Sequence, residues 1–141
     1  MARAEVGPEL SAEGPRHEAR ERALSLLYEA AMKRESAAEV LAALPVPPDP
    51  FTVELLEGVA AHAERIDELL AGAAVGWELD RMPVIDRTVL RLAGYELLAR
   101  PEIPVAVVID EAVELAKRYS TEQSGGFVNG VLATVARQVR S

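Results

Sequence analysis

Between Ile103 and Leu132 the stretch IPVAVVIDEAVELAKRYSTEQSGGFVNGVL leaves the chain little choice of secondary structure. Val105, Val108, Ile109, Ala112, Ala116 and Tyr119 recur at three- and four-residue steps, the spacing of one apolar helix face. Pro104 suits a helix's first turn, where its missing N–H is no loss. Asp110, Glu111, Glu114, Lys117 and Arg118 fall on the other face and read as surface ion pairs. Ser120 and Gln123 have capping-box spacing, so a second helix is expected there, with Val128, Val131, Leu132, Val135 and Val139 as its buried stripe. The expectation is a helix hairpin joined by a polar, glycine-containing loop.

Gly125 and Gly126 cost a helix start roughly 1 kcal/mol each relative to alanine, so propensity alone does not place them in one. Gly130 would let another helix approach closely. Phe127 reads either as a core anchor or as a flat ring offered to a base, and Asn129 either as a buried cap or as a ligand contact.

Earlier segments supply partners for the hairpin. Residues 1–15 mix Glu5, Glu9, Glu13, Gly7, Pro8, Gly14 and Pro15 with little periodic apolar content, so a disordered tail is expected, with the folded part at 16–141. Ala19, Ala23, Leu24, Leu27, Ala30 and Ala31 then mark a helix to about Arg34. Arg16, His17, Arg20 and Arg22 crowd its first turns, where positive charge opposes the helix dipole. Either the cluster is a solvated face, partly neutralised by Glu18 and Glu21, or it contacts phosphate, which the guanidinium fork suits. Ser36 and Glu39 open a short helix. Asp49 caps a long one that carries Val53, Leu56, Val59, Ala60, Ala63, Ile66 and Leu70 inward. Trp77, the only tryptophan, is expected as a core plug. Asp80 caps a helix with Pro83 in its first turn and Ile85, Val89, Leu92, Ala93 and Leu97 packed inward. No stretch alternates with period two, so the expected fold is all-α with six or seven helices.

Composition excludes several functions. Without cysteine there are no disulfides, thiolate metal sites or thiol nucleophiles. His17 and His62 lack partners at ligand spacing, so no metal is expected. No cofactor is expected either: the glycines lack the spacing of a phosphate loop, and no Ser, His and Asp converge on a catalytic motif. With no signal-like or membrane-spanning run, a cytoplasmic, non-enzymatic protein is expected. The formal net charge of −8 is the wrong overall sign for a nucleic-acid binder, although one local patch can still do that work.

RHEARERALSLLYEA at 16–30, LDRMPVIDRTVLRLAGYELL at 79–98, IPVAVVIDEAVELAKRYS at 103–120 and FVNGVL at 127–132 together resemble the NusB family of bacterial transcription antitermination factors. The resemblance runs from Arg16 to the C-terminus and implies an all-helical fold of two small packed bundles. It also implies a non-catalytic role: binding single-stranded boxA RNA with NusE, also called ribosomal protein S-ten, and helping to assemble an antitermination complex on RNA polymerase with other Nus factors, chiefly on ribosomal RNA operons. Residue by residue it implies an RNA surface at Arg16, His17, Arg20, Gln123, Ser124, Phe127 and Arg91, and a partner surface at Tyr28 and Asp86. Glu18 departs from the family, whose members often carry a basic residue there. Homodimers are within the family's range, so an interaction module without RNA binding of its own is the alternative expectation. A NusB-like domain also occurs ahead of some ribosomal RNA methyltransferases; with the sequence ending at Ser141, their catalytic domain is not expected here.

Overall fold

A computed structural model describes residues 15–140 and has the expected all-α architecture. Its helices are α1 (Pro15–Lys33), α2 (Ala37–Ala43), α3 (Pro50–Ala61), α4 (Ala63–Ala73), α5 (Val84–Ala99), α6 (Val105–Tyr119) and α7 (Glu122–Val139). A 3-10 turn, Leu79–Arg81, precedes α5, and no strand occurs among the described residues. The expected tail lies outside the described residues apart from Pro15, which begins α1.

Two small bundles share one core. Helices α1, α2 and α3 pack as the first and α4 to α7 as the second, with α5 touching α1 and α3 on one side and α4, α6 and α7 on the other. Ten of its sixteen residues are buried, as expected for a helix enclosed nearly all round. Close approach to α5 rests on glycine at one point. A Cβ on Gly58 of α3 would lie 2.2 Å from the Tyr95 ring, and Tyr95 is buried and held by a 2.7 Å hydrogen bond to Glu54. Gly58→Ala gains roughly 1 kcal/mol of helix propensity and loses more to overpacking, typically 1–3 kcal/mol. The expected result is a lower denaturant midpoint, and an unchanged one would mean that the ring relaxes freely.

Several caps follow the expected chemistry. Ser36 Oγ accepts from Glu39 N at 3.0 Å while Ser36 N donates back to Glu39 at 2.8 Å, a complete capping box. Asp49 accepts from Phe51 N at 2.8 Å, with Pro50 at the first helical position.

Other expectations are corrected. The long helix from Asp49 breaks at His62 (φ −109, ψ 17), although its ladder continues on both sides, through His62 N to Gly58 O and Ile66 N to His62 O. The bend turns α4 towards α5 and α7, so Ala60 and Ala63 are exposed and Ile66, Leu69 and Leu70 carry the burial. Pro83 and Pro104 stand at cap positions, one residue ahead of their helices, and Asp80 makes no cap bond. The start of α7 is capped by Thr121, whose side chain accepts from Ser124 N at 3.1 Å, in place of the Ser120–Gln123 box. Gly125 and Gly126 are therefore helical. A Cβ on Gly125 would sit 2.8 Å from Lys117 Cε, so glycine lets the lysine stem cross the first turn of α7. Gly130 faces open space and Asn129 is exposed. Trp77 is no core plug: it is 53% exposed, on the non-helical stretch between α4 and the 3-10 turn.

Candidate nucleic-acid and partner interface

The N-terminal face of α1 is an ion-pair core rather than an open basic patch. Arg20 is 3% exposed, and its fork binds Glu96 of α5 twice, Nε to Oε2 at 2.9 Å and Nη2 to Oε1 at 2.7 Å. Its Nη1 reaches Glu111 Oε1 of α6 at 3.2 Å, and His17 Nδ1 lies 3.1 Å from the same oxygen. Burial works against the Arg20 charge, but the hydrogen bonds and charges of Glu96 and Glu111 outweigh it and hold the guanidinium pKa above its ordinary value. The expectation that Arg20 is an exposed phosphate contact is thereby corrected: its donors are spent inside the protein. Glu111 is likewise a buried partner and not a surface charge. His17 is largely enclosed with it, while Arg16 is half-buried with its guanidinium 4.2 Å from the Phe51 ring centroid. Of the crowded α1 bases only Arg22 is exposed.

Two clefts open beside the start of α5. The first, about 410 Å³, lies between α1, α5 and α6 and is lined by Glu21, Leu24, Ser25, Tyr28, Ile85 and Tyr119. Tyr28 and Tyr119 are both substantially exposed there. Glu21 accepts from the Tyr119 hydroxyl and from Arg118 Nη1, the latter at 3.0 Å, which fixes one wall.

The second cleft, about 220 Å³, has Trp77, Met82, Pro83 and Phe127 as walls, with Asp86, Thr121, Gln123 and Ser124 as its polar groups. The Trp77 and Phe127 rings meet at 5.8 Å between centroids and 59° between planes. Phe127 is half-buried, packed against the core and also bordering the cleft. Asp86 and Ser124, expected as partner and RNA contacts, are both buried, and the Ser124 hydroxyl donates to Asp86 Oδ2 at 2.9 Å. Asp86 therefore belongs with Gln123, Ser124 and Phe127, on a different cleft from Tyr28. Ile85 and Asp86, adjacent on α5, diverge into the two clefts.

Arg91 joins neither. It forks onto Asp67 of α4 at 2.8 and 2.9 Å with both side chains about one-third exposed. Sequence reasoning missed Trp77 and Tyr119 as cleft walls and Glu96 and Glu111 as ion partners. A signal existed for Glu111: it falls between Val108, Ala112 and Leu115 on the apolar side of α6, where a charge requires a partner. No helix among the described residues is long and apolar enough to cross a membrane.

Comparison with known proteins follows the same lines. The model of the NusB family matches residues 17–137. A transcription antitermination protein NusB of Streptomyces griseus subsp. griseus is 50% identical over 127 residues, covering 84% of this chain and 89% of that protein. Among solved structures, NusB of T. maritima superimposes with a TM-score of 0.79 at 39% identity, covering 88% of this chain and 92% of the other. A chain in a crystal structure of antitermination factors NusB and NusE in complex with dsRNA gives a TM-score of 0.75 at 27% identity, covering 87% of this chain and 96% of the other.

Proposed function

The chain belongs to the NusB family, and we propose that it acts as a transcription antitermination factor that binds boxA RNA together with NusE and helps assemble the antitermination complex on RNA polymerase, mainly at ribosomal RNA operons. It works by binding and not by catalysis, in the cytoplasm. The observation that carries this reading is the adjacency of the two clefts at the first turn of α5.

The Tyr28 cleft is the protein site. Its walls are mostly apolar, with exposed tyrosines of the kind that dominate interface energetics. The Phe127 cleft is the RNA site, since it offers aromatic rings beside polar groups, the means by which unpaired bases are stacked and read. A partner seated in the first cleft lies next to RNA in the second. With a formal charge of −8 the isolated chain repels RNA at long range, so a basic partner at that position completes the RNA surface.

Tyr28→Asp tests the division of labour. It should weaken NusE binding by about 2 kcal/mol or more and leave the weak RNA binding of the isolated chain unchanged. Phe127→Ala should do the reverse, costing about 1–3 kcal/mol of RNA affinity, with a stability loss below the roughly 3–5 kcal/mol of a fully buried phenylalanine. Calorimetry with NusE, fluorescence anisotropy with RNA and denaturant melts separate the three quantities. If both variants weaken both ligands equally, the two-cleft assignment fails.

A further inference from the structure

Asp86 carries an unanswered hydrogen-bonding atom. The residue is 4% exposed and lines the Trp77–Phe127 cleft; Oδ2 accepts from Ser124, while Oδ1 is buried without a partner among the described residues. A carboxylate accepts about four hydrogen bonds, and leaving a buried acceptor empty is costly. The site therefore favours a ligand that brings N–H donors. Met82, Pro83 and the two aromatic rings supply apolar walls for something flat. Trp77, outside any helix and more than half exposed, forms the outer wall.

Two kinds of ligand carry donors into such a place, a cationic side chain and a nucleobase. The N-terminus of α7 decides between them. Thr121 and Gln123, at that end of an 18-residue helix, line the same cleft. The positive end of a helix favours an anionic backbone and opposes an ammonium or guanidinium. Among bases, the carboxylate discriminates by the Watson–Crick edge. Guanine presents two adjacent donors, N1–H and the 2-amino group, which match an acceptor-only group. Uracil presents one N–H between two carbonyl oxygens that repel it, and adenine and cytosine each set their amino group beside a ring acceptor.

Resting on the RNA-binding reading above, we propose that this cleft is a pocket for one unpaired guanine base, walled by Trp77 and Phe127 and selected by Asp86.

The test uses the full chain with short single-stranded uridine-rich RNAs carrying guanosine, inosine, adenosine or uridine at one position. Wild type should prefer guanosine to uridine on the order of tenfold, the discrimination of a good bidentate pair, with inosine, which lacks the 2-amino group, in between. Pairing that guanosine in a duplex should abolish the preference, because its edge is then occupied. Asp86→Asn should lose the ranking, its guanosine and uridine RNAs binding alike. Trp77→Ala, on an exposed wall where folding is not at stake, should weaken guanosine RNA several-fold more than uridine RNA. Wild-type binding that ignores base identity would overturn the pocket and leave the RNA reading standing. No RNA binding, alone or with NusE, would overturn both. A ranking that survives both substitutions, or substitutions that weaken NusE binding without touching the ranking, would also overturn the proposal, the latter by making the cleft a site for a cationic side chain.

Discussion

Arg20→Ala is expected to lower the unfolding free energy by about 3–5 kcal/mol, the range for breaking a buried ion pair from one side. The cause is what remains behind. Glu96 and Glu111 are 2% and 3% exposed, and Arg20 is the shared cation that joins α1 to α5 and α6. Without it, among the described residues, Glu96 has no close cation and Glu111 keeps only His17. Against a typical total stability of about 5–15 kcal/mol, such a loss brings the variant near unfolding under mild denaturant. Urea melts followed by circular dichroism measure it directly. A loss under about 1 kcal/mol would show that water or rearranged side chains rescue the carboxylates, contrary to this account. RNA binding by an Arg20 variant is therefore informative only beside a melt.

Arg140→Ala should cost about 2–3 kcal/mol, because charge-assisted hydrogen bonds are lost and the carbonyls of Leu97 and Ile103 are left without a donor, those of Glu96 and Arg100 keeping a backbone N–H. The Arg140 guanidinium, just beyond α7, donates to the carbonyl oxygens of Glu96, Leu97 and Arg100 at 3.2, 2.8 and 2.8 Å, and to that of Ile103 at 3.0 Å. Those groups lie at and just beyond the end of α5, where helical carbonyls run out of partners and Pro101 brings no N–H. One side chain thus ties the C-terminal end of the chain to the central helix. Arg140→Lys should recover only part of the loss, since an ammonium keeps the charge without the planar fork. Equal stability of the Lys variant and wild type would reduce the contact to simple charge complementarity.

How much of this was legible in the sequence depended on whether the deciding interaction was local. Helix existence, the Ser36–Glu39 box and the Asp49–Pro50 start are set within a few residues and were readable. The break at His62 was not, because nothing local forces it; the bend suits the packing of α4 on α5 and α7. Arg16, His17 and Arg20 looked like one basic patch because their neighbours in sequence are polar. The partners of Arg20 lie 76 and 91 residues away, and they turn it into core. Asp86 and Ser124 were found as candidates, but neither their burial nor their hydrogen bond across 38 residues was visible in one dimension. Trp77 was misplaced because a single tryptophan in an apolar chain suggests core, whereas here it stands as a cleft wall beside Phe127.

The central claim is that two adjacent clefts let a protein partner and RNA bind as a pair, and titration of labelled boxA RNA tests it most directly. The RNA is titrated with this chain, with NusE and with their mixture at one salt concentration, since affinities of this kind depend on salt. The account predicts that the mixture binds at least about tenfold more tightly than either protein alone, a coupling of roughly 1.4 kcal/mol or more. An affinity for the mixture no higher than that of the tighter single protein would contradict it.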